Sequence, residues 1–273
     1  MNEPEFTKGT MHYAQGLDIQ KCTDFVLEGC CIRQPSFAEI NFDPHGVTAP
    51  LQCVRECRIS GGISLVDADG GIGTALVARN HFVEGGRIDG QIKCIRGWSK
   101  VAIRHNVFSD ERCAVSITSR DLQSLEIRNN LLTGNDGFLF TEYVPPGSVT
   151  VCNNLRTRPG LLRLAVGAER FIHNAAARWQ VGHNMYLRDP KEDSEGDPKT
   201  FFPRASSDIL ALPVFLSKDP ANSNYLHVAA DSPIGRSGVG GRVWPDYIGP
   251  FVPGPAPEEG DWFTRMRKRW AAH

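Results

Sequence analysis

A short apolar-x-apolar pair recurs along the chain at Leu17/Ile19, Ile40/Phe42, Ile63/Leu65, Ile92/Cys94, Val115/Ile117, Phe138/Phe140 and Leu162/Leu164. The steps between copies are 23, 23, 29, 23, 23 and 24 residues. A second pattern, apolar-x-x-Asn-x-apolar, runs in parallel and places Asn80, Asn106, Asn130, Asn154 and Asn184 at one equivalent position. Two earlier copies carry Cys30 and Cys57 there, and from Cys57 the steps are 23, 26, 24, 24 and 30 residues. Alternation over such short runs is the period of a strand whose two faces differ. Helical repeats need apolar spacings of three and four, and leucine-rich repeats need a Leu-x-x-Leu-x-Leu run. Neither is present.

Two ladders sharing a period of roughly 23 residues predict a coiled solenoid whose turns stack about 4.8 Å apart. Its inward residues form vertical columns of Leu, Ile, Phe and Val, with Cys where a small apolar volume fits. Asn suits the remaining column because it tolerates the left-handed backbone of a tight turn. Its amide also bonds to the equivalent amide of the next turn, as in stacked-amide arrays. The spacing predicts that Cys30 and Cys57 interrupt this ladder at its N-terminal end.

On these residues the chain resembles a right-handed parallel β-helix, the fold of pectate lyases and many bacterial surface and periplasmic proteins. The resemblance covers residues 17–187, about seven turns, and implies the handedness together with the general right-handed crossover preference. Residues 1–16 are read as an N-terminal extension or truncated rung, and residues 188–273 as a loop and C-terminal capping extension. Within that extension Tyr225, Leu226, Ser232 and Pro233 resemble the closing segment of bacterial β-helix proteins. The stretch 177–184, with the tail from Gly249 to Arg265, resembles the C-terminal β-helix regions attached to bacterial serine/threonine protein kinases. Trp262 and Phe263 are expected to dock on the solenoid. Arg265, Arg267, Lys268 and Arg269 are expected to stay solvated, as a basic tail able to recruit an anionic partner.

Composition agrees with a turn-rich, strand-rich fold, since 27 Gly and 18 Pro in 273 residues exceed the usual ~7% and ~5%. A formal net charge of −1 excludes a generally basic nucleic-acid coat, so no nucleic-acid partner is expected. The first residues, MNEPEFTKGT, have no apolar core of a signal peptide, and no run is long enough to span a bilayer. The compartment stays open: unpaired cysteines favour the cytoplasm and a glycan ligand favours the exterior. The eight cysteines form no pair of CxxC motifs, so buried free thiols are expected and no metal or cofactor.

The kinase resemblance does not extend to catalysis. Ser119-Arg120-Asp121-Leu122 lacks the His of a kinase catalytic loop and has Glu126 where the metal-binding Asn belongs. Gly70-Gly-Ile-Gly73 lacks the Lys of a phosphate-binding loop. Outward positions of the first strand read Asp18, Asn41, Ser64, Lys93, Ser116, Leu139 and Arg163, a mixture suited to hydrogen-bonding a sugar chain. Strand-end positions add Asp43, Asp67, Arg96, Thr118, Arg120, Thr141 and Glu142, and Asp69 joins Asp67 in an acidic cluster. Of these, Asn41, Ser64, Asp67, Asp69, Lys93, Arg96, Ser116, Arg120 and Glu142 form the candidate ligand-binding face. Asp67 with Asp69 is either a turn closed by its own side chains, a weak Ca²⁺ site or half of a glycosidase pair. Lys93 with Arg96 is the best lyase-like pair. His105, His173 and His183 each precede Asn and are expected at the solenoid turn. Trp98 and Trp179 are either sugar platforms or core. The expectation is a non-catalytic module binding glycan or protein, such as the sensory or scaffolding region of a kinase-linked bacterial protein. A polysaccharide lyase or glycoside hydrolase is the alternative.

Overall fold

The computed structural model describes residues 15–32, 39–43, 48–65, 73–83, 92–94, 98–109, 114–117, 119, 121–134, 137–140, 147–164, 177–188, 202–242 and 244–271. The strands form three parallel sheets of seven, seven and eight members, and successive strands of the chain visit the sheets in turn. The first sheet runs from Gln15–Gln20 to Leu162–Leu164, the second from Asp24–Glu28 to Trp179–Gly182, and the third from Cys31–Ile32 to Ile209–Leu210. Among the described residues the chain is an all-β parallel β-helix with one α-helix, Trp262–Ala271, toward its C-terminal end.

Registry of the apolar pairs builds the core. Leu17 sits over Ile40, Ile63, Ile92, Val115, Phe138 and Leu162, and Ile19 heads the companion column through Phe42 and Leu65. In the second sheet Val54, Val77, Ile103, Ile127, Val151 and Val181 stack in the same way. In the third, the Phe82 and Phe108 rings stack at 4.8 Å, the strand spacing itself. Each of these side chains that is buried contributes roughly 1.5–3 kcal/mol, Leu17 on the first rung being exposed, so stacking like on like turns a weak local pattern into a core. Trp98 pairs with Gly73, where an added Cβ would lie 2.7 Å from the indole. Glycine there lets the largest side chain of the interior lie within the barrel.

The asparagine ladder is continuous. Asn80, Asn106, Asn130, Asn154 and Asn184 are fully buried, and each Oδ1 from Asn106 onward accepts the backbone N–H of the preceding rung's Asn at 2.9–3.1 Å. Each Nδ2 of these five donates to a carbonyl on the second-sheet strand of the preceding turn, such as that of Val54 or Val77. Two sequence expectations are corrected here. The cysteines do not interrupt the column: Cys57 N–H donates to Asn80 Oδ1 at 3.0 Å, and Cys57 Sγ accepts the N–H of Cys30 at 3.4 Å. A thiol sulfur is a weak acceptor that serves where an amide oxygen would. Nor is the left-handed residue the ladder residue. Positive φ belongs to the residue before it: Gly29, Glu56, Arg79, His105, Asn129, Asn153 and His183.

Beyond Ile209–Leu210 the chain does not simply plug the end of the stack. It returns along the flank of the third sheet, against the outward residues Val107, Leu131, Leu155 and Met185, which form a second core with Leu226, Val228, Ile234, Ile248, Phe251, Trp262, Phe263 and Met266. The left-handed residues are its anchor points. His183 Nδ1 meets the carbonyl of Ser237 at 2.9 Å, Asn153 Nδ2 donates to Pro245, Asn129 Nδ2 to Tyr247 and Gly249, and His105 Nδ1 meets Pro250. Side chains at positive φ point away from the barrel, so one column closes the turns and holds the returning strap.

Candidate functional site

The first-sheet column is in the expected register: Asp18, Asn41, Ser64, Lys93, Ser116, Leu139 and Arg163 are successive neighbours. Asn41 Nδ2 donates to Asp18 Oδ1 at 2.8 Å. Asn41, Ser64 and Ser116 are buried. Lys93 is placed on its strand, but its side chain, like Asp67, Asp69, Arg96, Arg120 and Glu142, lies outside the described residues. His173 lies outside them too. Trp98 and Trp179 are core: the first is fully buried, and the second stacks on Phe202 at 5.5 Å.

A more developed site lies on the opposite flank. At Arg58 and His81 the outward column of the third sheet changes from apolar to polar. The C-terminal helix crosses there. Its start is fixed by Asp261, whose Oδ1 accepts the N–H of Thr264 at 2.7 Å and whose Oδ2 lies 2.9 Å from His227 Nε2. Burial alone would push the Asp261 carboxyl up, but its bonds to His227 and Thr264 outweigh this and leave it below the usual range. Trp262, Phe263 and Met266 face inward, with Phe263 edge-on to His81 at 5.0 Å.

Between helix and sheet a cavity of about 880 Å³ remains. The sheet lines it with Arg58, His81, Val83 and Ser109. The loop from Pro220 to Ser223, with Tyr225, forms one wall, and Thr264, Arg267, Lys268, Trp270 and Ala271 form the other. Arg267 is not solvated as the sequence suggests: it is half-buried, 4.9 Å over the Tyr225 ring, and donates to the Asn222 carbonyl at 3.1 Å. A guanidinium gains from stacking on an aromatic face, which draws it off the surface. Burial lowers its pKa and raises that of Tyr225.

His81 Nε2 lies 2.9 Å from Ser109 Oγ. Burial, reinforced by the Arg58 and Arg267 charges, pushes the imidazole down to about 3. Its Nδ1 has no hydrogen-bond partner among the described residues, and neither has Trp270 Nε1. A Ser–His pair acts as a nucleophile only when the imidazole takes a proton and a third group orients it. His81 is a poor base in this setting. Burial likewise pushes the Cys57 and Cys152 thiols up to about 12, which silences them as nucleophiles. Among the described residues no cluster of three or more His, Cys, Asp or Glu is placed to hold a metal, and no helix is long and apolar enough to cross a membrane.

Comparison with family models, with curated proteins and with solved structures finds no match to this chain. The site therefore rests on its own geometry. Arg58 and His81 each follow the ladder position of their turn, where later turns carry Val107, Leu131, Leu155 and Met185, so the loss of apolar character there is the signal in the sequence that points to this site.

Proposed function

We propose that the chain is a non-catalytic interaction module that binds a glycan or a protein surface, with a glycan favoured. The single observation supporting this is the cavity beside the C-terminal helix, which is within the usual ~300–1,000 Å³ of ligand sites. It is lined by the aromatic side chains of Tyr225 and Trp270, by apolar surface at Val83 and Pro220, and by hydrogen-bonding groups around them. Aromatic faces pack well against the apolar faces of sugar rings. Hydrolysis of a glycoside needs a pair of carboxyl groups across the bond, and the described lining has no Asp or Glu. The resemblance to the β-helix regions of bacterial serine/threonine kinases suggests the setting, a sensory or scaffolding segment of a kinase-linked protein. Calorimetric titration of the chain with neutral and uronate-containing oligosaccharides, with parallel assay of new reducing ends and unsaturated uronates, tests the reading. Saturable heat without product is the expected result. Sustained product formation overturns it in favour of a lyase or hydrolase, and silence across the panel overturns the glycan reading.

A further inference from the structure

We propose that the cavity beside the C-terminal helix is an oxyanion subsite that takes the carboxylate or sulfate of an acidic sugar between Arg58 and Arg267. This rests on the binding-module reading above and names the chemistry its site selects. The two guanidiniums reach the cavity from different elements, Arg58 from the third sheet and Arg267 from the helix. Lys268 adds a third positive charge to the lining. None of the three forms an ion pair among the described residues. Both guanidiniums line the same cavity as His81, between the sheet and the helix that carry them.

The wall behind these charges is dry. His81 is more than nine-tenths buried, and its Nδ1 and the Trp270 Nε1 are closed to solvent. Against such a low-dielectric wall, three cations that form no ion pair among the described residues suit an anion. Arg267 is held ready by Tyr225 and Asn222, so little order is lost when it bonds. Planar guanidiniums match carboxylate and sulfate oxygens in a fork, while Trp270 supplies aromatic surface for the ring that carries them, the Tyr225 ring being stacked on Arg267 and Phe263.

The test is calorimetry of the whole chain with oligogalacturonate, a sulfated galactosaminoglycan oligosaccharide, a neutral glucan oligosaccharide and a phosphopeptide, at low and high salt. Arg58→Gln and Arg267→Gln are compared with Arg265→Gln, a charge control on the exposed face of the same helix. Circular dichroism melts check that each variant folds. The expected result is binding of one or both acidic sugars, weakened at least tenfold by Arg58→Gln or Arg267→Gln and by salt, and unchanged by Arg265→Gln. The carboxylate and sulfate arms identify which oxyanion is taken. Equal binding of neutral and acidic sugars, or acidic-sugar binding untouched in both folded cavity variants, overturns the subsite and leaves the binding module standing. Preference for the phosphopeptide overturns the sugar assignment, and silence with every sugar overturns the subsite together with the glycan reading.

Discussion

Asp208 Oδ1 accepts the backbone N–H of Asn184 at 2.9 Å, so the asparagine ladder ends on a carboxylate. The other oxygen accepts the Tyr186 hydroxyl at 3.1 Å and the Ala205 N–H at 3.0 Å. One buried side chain thereby serves the last rung of the stack and the loop leaving it.

Replacing Asp208 by Ala leaves the Asn184 and Ala205 N–H groups short of an acceptor. The expected cost is about 2–4 kcal/mol, since each stranded buried donor carries a penalty of roughly 1–3 kcal/mol. Asp208→Asn keeps one acceptor oxygen and is expected to lose about half as much. Urea denaturation of the two variants measures both; an Ala variant as stable as the parent would refute the terminal role.

Cys57 stands in for asparagine with a weaker acceptor. Cys57→Asn is expected to be at least as stable as the parent, because an amide oxygen replaces sulfur at the Cys30 N–H. At pH 8 a thiol raised to about 12 is ionised in only about one molecule in ten thousand. Cys57 and Cys152 should therefore resist alkylation in the folded chain and react on unfolding. Mass spectrometry after brief iodoacetamide treatment reads this directly, and rapid native labelling of either would contradict the burial.

The strap's grip is concentrated in two amides. Asn129→Ala and Asn153→Ala each remove side-chain bonds to the returning backbone and are expected to cost about 1–3 kcal/mol. Limited proteolysis should show residues 237–271 cut faster while the stacked rungs stay intact. Uniform acceleration across the chain would mean that these amides serve the whole fold and not the strap.

His81 and His105 make stability fall with acid. Burial first, then neighbouring arginines, hold them at about 3 and about 4, against 6.5 when free; a bond to the Pro250 carbonyl partly offsets this for His105. Above about pH 6.5 both states are neutral and stability is complete. As pH falls below that, the unfolded chain binds protons that the folded chain refuses. Each histidine then costs up to about 1.4 kcal/mol per pH unit until its folded pKa is reached. Asp261, depressed in the folded chain, works in the same direction at lower pH. Urea midpoints at pH 7.5, 6 and 5 should drop steadily, and His81→Gln should flatten the slope. A level profile would show that both imidazoles accept protons in place.

The core and ladder were legible because every turn imposes the same demand at the same position, so one chain carries many copies of a single constraint. The ladder's ends were harder. Asp208, in Ser207-Asp208-Ile209-Leu210, lies 24 residues after Asn184 and fits the pattern, but a charged residue after two serines reads as loop until its donors on Asn184, Tyr186 and Ala205 are seen. The left-handed position was misplaced by one residue because Glu56 and Arg79, which tolerate it poorly, occupy it in two turns. The cavity was least legible. Arg58 and His81 break an apolar column in plain sight, yet what faces them depends on the path of a segment more than 130 residues later. Local periodicity does not encode that path.

The helix that walls the cavity also donates Arg269 Nη1 to the Gly29 carbonyl, a contact spanning 240 residues. Stacked repeats otherwise couple only to their neighbours and fold piecemeal from any rung. A bond between the last helix and the first turns, with the second core beneath it, raises the contact order of the whole chain. A growing polypeptide can lay down its rungs in sequence, but the turn at Gly29 gains this lock only once Arg269, 240 residues later, has been made. Fraying at that turn is thereby tied to the arrival of the helix.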